Sequence, residues 1–484
     1  MDAATVPRPR RVWDCLPFLV ATAAIVGSEF VAYLVFARTV PPSGDEQFYV
    51  VNARAIAAAL HDVCHLDTTA ARDLPKRLVD LGWFTPGMSF LLVPVAALTD
   101  SVPLFRLYVG LLNLGGTLAI LWYLSRRSAA APLIFAAGVL AVPYYSVFAF
   151  MLWGDLLAAH LLLLLVVLER IDDGDPRAAS WRTAAGIGFA IGLITYVRGF
   201  YWAFCPVFIL LIVLGTVGMP SLSTRIRRAA ALATICTATL FTTILPWTVA
   251  VSARYGFHLT TTSTTMSQIS LLGSQSYVDA VGRPVNSFEW QRMIASRAAA
   301  GGNTFAAQAA LERARATADT SLAEAARRIR ANVHRFFFDS EQFLARFRRL
   351  AMPQTRRSLQ PSLDWAYAWL QTVNHYGWRV LAACGLTIFF LPINSSRRHV
   401  SLSVVFKCVV LIFTMHPLMV KAHGRYYVEY VPFIAAALAG LASAPRPRIA
   451  LARPRDVDEW LVFVVQAVAA CIGGTLVLGY VILA

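Results

Sequence analysis

Two carboxylates stand side by side in "PPSGDEQFYV", residues 41–50, where a long apolar run ending near Ala37 gives way to polar chain. The pair allows two readings. Ser43 and Glu46 have the S-x-x-E spacing of a helix capping box, and acidic residues in a first turn oppose the helix dipole. That spacing accounts for Glu46 as a cap and site-shaping group. Asp45 need cap nothing, and its carboxylate is left free to point into a cavity. Tyr49, one turn beyond Asp45, falls on the same helical face and would line that cavity.

Arginine offers planar, bidentate donors for phosphate. The candidates are Arg198 in "TYVRGFYW" and Arg425 in "KAHGRYYVEY", with Lys421 and His423 beside the second and Tyr426 lining the same stretch. Asp155 in "LWGD" is a second acidic candidate. Each has a plainer reading. Arg198 can snorkel beside Tyr196, Tyr201 and Trp202 in an aromatic belt, Arg425 can pair with Glu429 at i,i+4, and Asp155 can sit at a helix N-terminus. "HDVCHLD" brings His61, Cys64, His65 and Asp67 together with metal-ligand chemistry, yet reads better as a solvated interfacial helix.

The elements that must position these residues are set by composition. The chain has 484 residues, 57% hydrophobic and 14% charged, with a mean hydropathy of +0.58, far from the roughly quarter-charged average of soluble domains. This predicts a polytopic membrane protein. The formal net charge of +16 does not point to nucleic acid, because the arginines mostly flank apolar runs or lie in one extended loop. Six cysteines, Cys15, Cys205, Cys236, Cys384, Cys408 and Cys471, fall in or beside apolar segments and Cys64 stands alone, so no disulfide framework is implied. The basic N-terminus followed by an apolar run without a small-residue cleavage site reads as a retained signal anchor.

Runs long enough to cross a ~30 Å hydrocarbon core lie near 16–37, 104–124, 131–150, 155–169, 183–199, 200–217, 229–250, 376–393, 402–420, 427–443 and 460–482. With the N-terminus inside, the short inner connections carry arginines, among them Arg126 and Arg127, Arg225, Arg227 and Arg228, and Arg397 and Arg398, as the positive-inside rule requires. The long basic segment 251–375 is exempt, since long loops translocate largely regardless of charge. This topology puts Asp45, Glu46, Asp155, Arg198 and the 421–430 stretch on one outer face. Glu29 and Lys407 lie within apolar runs, where charge is costly, and are expected to face the bundle interior or to snorkel.

Two outer loops follow. The first, 38–103, predicts a short interfacial helix from Gln47 to Leu60, and a re-entrant or interfacial stretch at 82–100 interrupted by Pro86 and Pro94. The second, 251–375, is Ala/Arg-rich with a helical pattern from about Glu289 to Arg349. Its Phe336, Phe337, Phe338, Phe343 and Phe347 among arginines predict an amphipathic element lying on lipid. No internal repeat or low-complexity linker separates a second compact domain, so 1–484 is expected to form one membrane domain.

"SGDEQFYVVNARAIA", "FTPGMSFLLVPVAAL", "TYVRGFYW", "ILPWTVAVSARYGFHLTTTST" and "HGRYYVEYVPFIAAALAGL" together resemble the GT-C membrane glycosyltransferases, especially the protein O-mannosyltransferase and lipid A aminoarabinose transferase-like group. The likeness follows the same order over nearly the whole chain, although no single motif would carry it. It implies an all-α GT-C-type helix bundle of about eleven spans. It also implies transfer of a monosaccharide from a polyprenyl-phosphate donor to an extracytoplasmic glycan, lipid or protein, with inversion. Asp45 then matches the family's base, and no metal or cofactor is implied; the outer loops carry no DxD pair. The sequence departs from the protein mannosyltransferases where "FTPG" replaces their "HPP", and it lacks a large soluble insertion, which leaves the acceptor open. A glycan or lipid transporter, and a ligase using a diphosphate-linked glycan, are the competing readings. A bacterial inner membrane is the expected setting.

Overall fold

The computed structural model describes residues 12–42, 45–80, 85–168, 180–215, 221–255, 259–260, 277–278, 284–285, 322–338, 342–390, 397–415, 418, 424–442 and 457–483. Apart from one antiparallel pairing of β1 (Tyr277–Val278) with β2 (Pro284–Val285), the described elements are helical. The helices in chain order are α1 (Val12–Ala32), α2 (Asp45–Cys64), α3 (Thr69–Asp80), α4 (Gly87–Ala96), α5 (Val102–Ser125), α6 (Ala131–Leu140), α7 (Tyr144–Phe148), α8 (Asp155–Leu168) and α9 (Trp181–Val197). They continue with α10 (Cys205–Gly215), α11 (Leu222–Tyr255), α12 (Leu322–Val333), α13 (Gln342–Ala351), α14 (Gln360–Phe390), α15 (Arg397–Thr414), α16 (Tyr430–Ala442) and α17 (Val457–Leu483). Among the described residues four helical segments are long and apolar enough to cross a membrane: Cys15–Ala37, Val102–Ser125, Ser223–Ala253 and Phe463–Ile482. Several shorter apolar helices, including Asp155–Val166 and Trp181–Val197, pack among them.

Among the described residues each apolar run read from the sequence overlaps helix, but two runs differ in form. The stretch 131–150 is not one rod. It breaks at Ala141–Pro143 into α6 and the single turn α7, because proline lacks the N–H that would bond back into the preceding turn. Conversely, α14 begins at Gln360, sixteen residues before the apolar run at 376. Its first half is amphipathic rather than apolar, with Tyr367 and Asn374 buried and Trp365 and Trp369 exposed, so hydropathy alone hides it.

The first outer loop is ordered by local chemistry. A π-helical turn, Tyr33–Ala37, closes α1, and Thr39 Oγ1 donates to Val35 O at 2.6 Å. Pro41 and Pro42 then stop the helix. α2 follows, longer than the Gln47 to Leu60 expectation, and α3 turns back along it. Asp67 Oδ1 accepts the Thr69 N–H at 2.9 Å at the start of α3, which lowers its carboxyl below the usual range. α4, ten residues or ~15 Å long, is too short to span and buries Met88, Ser89 and Leu92 against α2, α5 and α9.

Two glycines let three chain segments meet at the N-terminal end of α8. A Cβ on Gly87 would sit 2.4 Å from the Tyr196 carbonyl, so α4 starts flush against the end of α9. Gly154 has φ +75°, and a Cβ there would lie 2.7 Å from Met88 Cγ. Glycine is the residue that tolerates both the left-handed turn and the contact. Replacing Gly154 by Ala is expected to cost about 1–3 kcal/mol and to lower the thermal unfolding midpoint of the full chain in detergent. Gly115→Ala, with open space around its Cβ, is the control that should leave the midpoint in place or raise it slightly. Equal midpoints for Gly154→Ala and wild type would contradict this.

Candidate functional site

Glu46, in the first turn of α2, is fully buried, and so is Arg106 in the first turns of α5. Arg106 Nε donates to Glu46 Oε1 at 3.1 Å and Nη2 to Oε2 at 2.6 Å, the two-pronged geometry that makes arginine–carboxylate pairs directional. The remaining donors are also placed. Nη1 donates to Ala37 O at 2.9 Å and to Val40 O, and Nη2 to Pro41 O at 3.2 Å. A guanidinium has five N–H donors, and all five have acceptors. One side chain therefore fastens the end of the π turn, the proline loop and the head of α2 together. Asp45, adjacent to Glu46, opens α2 on this foundation.

Glu46 has a larger role beside the capping expectation, whose Ser43 lies outside the described residues. Beyond Arg106, Glu46 Oε1 accepts the backbone N–H of Leu152 at 3.2 Å. Leu152 leads through Trp153 and the left-handed Gly154 to Asp155, the first residue of α8. Asp155 is also buried, and Arg198 Nε lies 2.6 Å from its Oδ1. Neither oxygen of Asp155 has an aligned hydrogen-bond donor among the described residues, so the contact is held by charge rather than by a directional bond. Arg198 ends α9 in an extended conformation, φ −142° and ψ 109°. Two buried ion pairs are consequently joined by a few residues of backbone.

The late segment closes on the same place. Tyr201 Oη donates to Glu429 Oε2 at 2.6 Å, with Asp155 O 3.4 Å away. The Tyr426 ring centre lies 5.5 Å from the Arg198 guanidinium carbon, within cation–π range. Residues Gly424–Glu429 form a 3-10 turn that is located by Asn374 of α14. Its Oδ1 accepts the Tyr144 N–H at 3.1 Å and its Nδ2 donates to Tyr427 Oη at 2.7 Å. The Trp378 ring packs on Tyr427 at 4.5 Å.

The sequence-derived residues therefore fall as follows. Glu46, Asp155, Arg198 and Tyr426 come together around the α2–α8–α9 junction. Tyr49 is 2% exposed and belongs to the core beside them. The side chains of Asp45 and Arg425, and all of Lys421, His423 and Ser43, lie outside the described residues. Arg198 and Asp155, expected as separate groups, are partners. His61 and His65 stack at 4.3 Å on the exposed end of α2, away from this junction. Glu29 and Lys407 are both buried; Lys407 Nζ donates to Gln466 Oε1 at 2.7 Å.

Sequence reasoning passed over Arg106 and gave Tyr201 and Glu429 only supporting parts. The available signal was a charged residue within an apolar run, which is costly unless paired. The lipid-facing reading of the long-loop phenylalanines is overturned for the two whose side chains are described. Phe336 is fully buried against Tyr430, ring centres 5.5 Å apart, and Phe347 is fully buried and stacked on Trp153 at 6.4 Å. The π turn His334–Phe338 and α13 thus pack against Tyr430 and Trp153, while Arg330 of α12, Arg335 of the turn and Arg349 of α13 are exposed. Phe337, Phe338 and Phe343 lie outside the described side chains.

No protein-family model, curated protein or solved structure matches this chain.

Arg106→Gln strands the buried Glu46 carboxylate, which should cost about 3–5 kcal/mol and appear as a lower unfolding midpoint. Adding Glu46→Gln should restore part of that loss, because the stranded charge is gone. Strictly additive losses in the double variant would show that the two groups are not coupled.

Proposed function

We propose that this protein is a GT-C-type membrane glycosyltransferase of about eleven spans that moves one sugar from a polyprenyl-phosphate donor to an acceptor outside the cytoplasm. The acceptor is a glycan, lipid or protein, and the setting is a bacterial inner membrane. The observation that carries the reading is the joining of two buried ion pairs, Glu46–Arg106 and Asp155–Arg198, through Leu152 at the head of the helix that starts with Asp45.

In this reading Asp45 takes the proton of the acceptor hydroxyl. The acceptor oxygen forms a bond to the anomeric carbon as the bond from that carbon to the phosphate oxygen breaks. Polyprenyl phosphate leaves, and the single displacement inverts the anomeric centre. Asp155 fixes the Arg198 guanidinium by its Nε edge, and the donor phosphate meets that group on arrival, where charge-assisted donors stabilise the developing phosphate dianion. Arg425, with Lys421 and His423, is assigned to the same phosphate, while Tyr426 lines the approach and Tyr49 anchors α2 in the core. Glu46 acts on Asp45 through the backbone as a positioning residue. The chemistry as proposed uses no cofactor or metal.

A second reading, a glycan or lipid transporter, draws on Glu29, a buried carboxyl with no hydrogen-bond partner for either oxygen among the described residues, the kind of intramembrane group that marks transport paths. Labelled sugar accumulating across vesicles with no covalent product would favour it.

The test is a panel of polyprenyl-phosphate monosaccharides given to the purified full chain. Asp45→Asn should lose on the order of 100-fold or more in transfer while its unfolding midpoint matches wild type. Full activity in that folded variant would remove Asp45 as the base.

A further inference from the structure

The elbow between α13 and α14 carries a feature the proposed chemistry does not use. Two 3-10 turns, Met352–Gln354 and Arg357–Leu359, make the bend. Gln360 Nε2 fastens it by donating to Met352 O at 3.1 Å and Thr355 O at 3.2 Å. The bend presents Arg356 and Arg357 side by side and exposed, with no ion-pair or side-chain hydrogen-bond partner among the described residues. The nearby acid, Asp364, is already committed to Arg348, whose Nε lies 2.6 Å from its Oδ1. The elbow is therefore a fixed, uncompensated double positive charge.

Directly below it on α14 runs an uncovered aromatic stripe. Trp365, Trp369, Tyr376 and Val380 are 69%, 53%, 63% and 63% exposed. At 100° per residue they fall within an arc of about 60°. Tyr367, Asn374 and Trp378 fill the opposite face and are buried in the bundle. The stripe continues from the amphipathic half of the helix into its apolar half, so it has an indole pair near the arginines and aliphatic surface farther on. Indoles of this kind sit at the headgroup level of a bilayer, and a guanidinium pair there meets phosphodiesters.

We infer that the α13–α14 elbow is a docking surface for an anionic phospholipid, with Arg356 and Arg357 on the headgroup phosphate and an acyl chain along the Trp365–Val380 stripe. Charge complementarity selects the anionic class: a zwitterionic headgroup brings its own cation and gains little from two arginines, whereas an anionic one releases counterions and gains attraction. The inference stands whether or not the chain is a transferase. Holding a headgroup here would set the depth at which α14 meets the membrane, and through Asn374 that depth is tied to the Gly424–Glu429 turn.

The experiment is native mass spectrometry of the full chain released from nanodiscs of phosphatidylglycerol or phosphatidylcholine with identical acyl chains. Wild type should retain phosphatidylglycerol on the order of tenfold more than phosphatidylcholine. The R356Q/R357Q double variant should fall to the phosphatidylcholine level at an unchanged unfolding midpoint. Trp365→Ala with Trp369→Ala should lower retention of both lipids, as loss of the acyl contact requires. Equal retention of the two lipids by wild type would overturn the proposal, as would undiminished selectivity in R356Q/R357Q. Selective retention of a polyprenyl phosphate with none for phosphatidylglycerol, or disulfide-linked dimers through Trp369→Cys in the nanodisc, would also overturn it by assigning the surface to another occupant.

Discussion

Arg106 is the constraint on which the rest of this structure depends. A guanidinium buried without water is costly unless its charge and all its donors are met, and here a carboxylate and three carbonyls meet them. Those acceptors come from the π turn, the proline loop and α2, so satisfying one residue ties Ala37, Val40 and Pro41 to Glu46. Lysine could not do the same work. Its three donors on a point charge lack the planar fork that holds Glu46 from two sides.

From that anchor the geometry propagates by short covalent steps. Glu46 holds the Leu152 N–H, and Gly154 turns the chain so that Asp155 starts α8 beside Arg198. Gly87 lets α4 lie against the end of α9, and Met88 lies where a Gly154 side chain would be. Around this junction, Asn374 and the rings of Tyr427 and Trp378 fix the late turn, while Phe336 and Phe347 seal it from above. The polar groups are thus held by packing on every side, which is how a site keeps its geometry without relying on loops.

The bundle was legible in the sequence because hydropathy and length report directly on helices that shed water. The expected runs at 104–124 and 155–169 differ by only a residue or two from α5 and the residues described for α8. What escaped was whatever depends on partners distant in the chain. Arg106 and Glu46 are 60 residues apart, and nothing local marks them as a pair. Asp155 and Arg198 were both singled out, but their mutual contact depends on how α8 and α9 cross. Pro143 divides a run whose composition looks continuous, and the first half of α14 alternates faces instead of being apolar throughout. Phe336 and Phe347 misled for a related reason: an amphipathic pattern defines an apolar face but not whether lipid or protein covers it.

We propose that the Asp45 segment, the Asp155–Arg198 pair and the Gly424–Glu429 turn surround one reacting sugar phosphate. The most direct measurement is photocrosslinking of the full chain in membranes with a polyprenyl-phosphate sugar that carries a photoreactive group on the sugar, followed by peptide mapping. The account predicts adducts within 45–49, 152–155, 198–202 and 424–430, suppressed by unlabelled donor. Specific adducts confined to other segments, with none at these four, would contradict it.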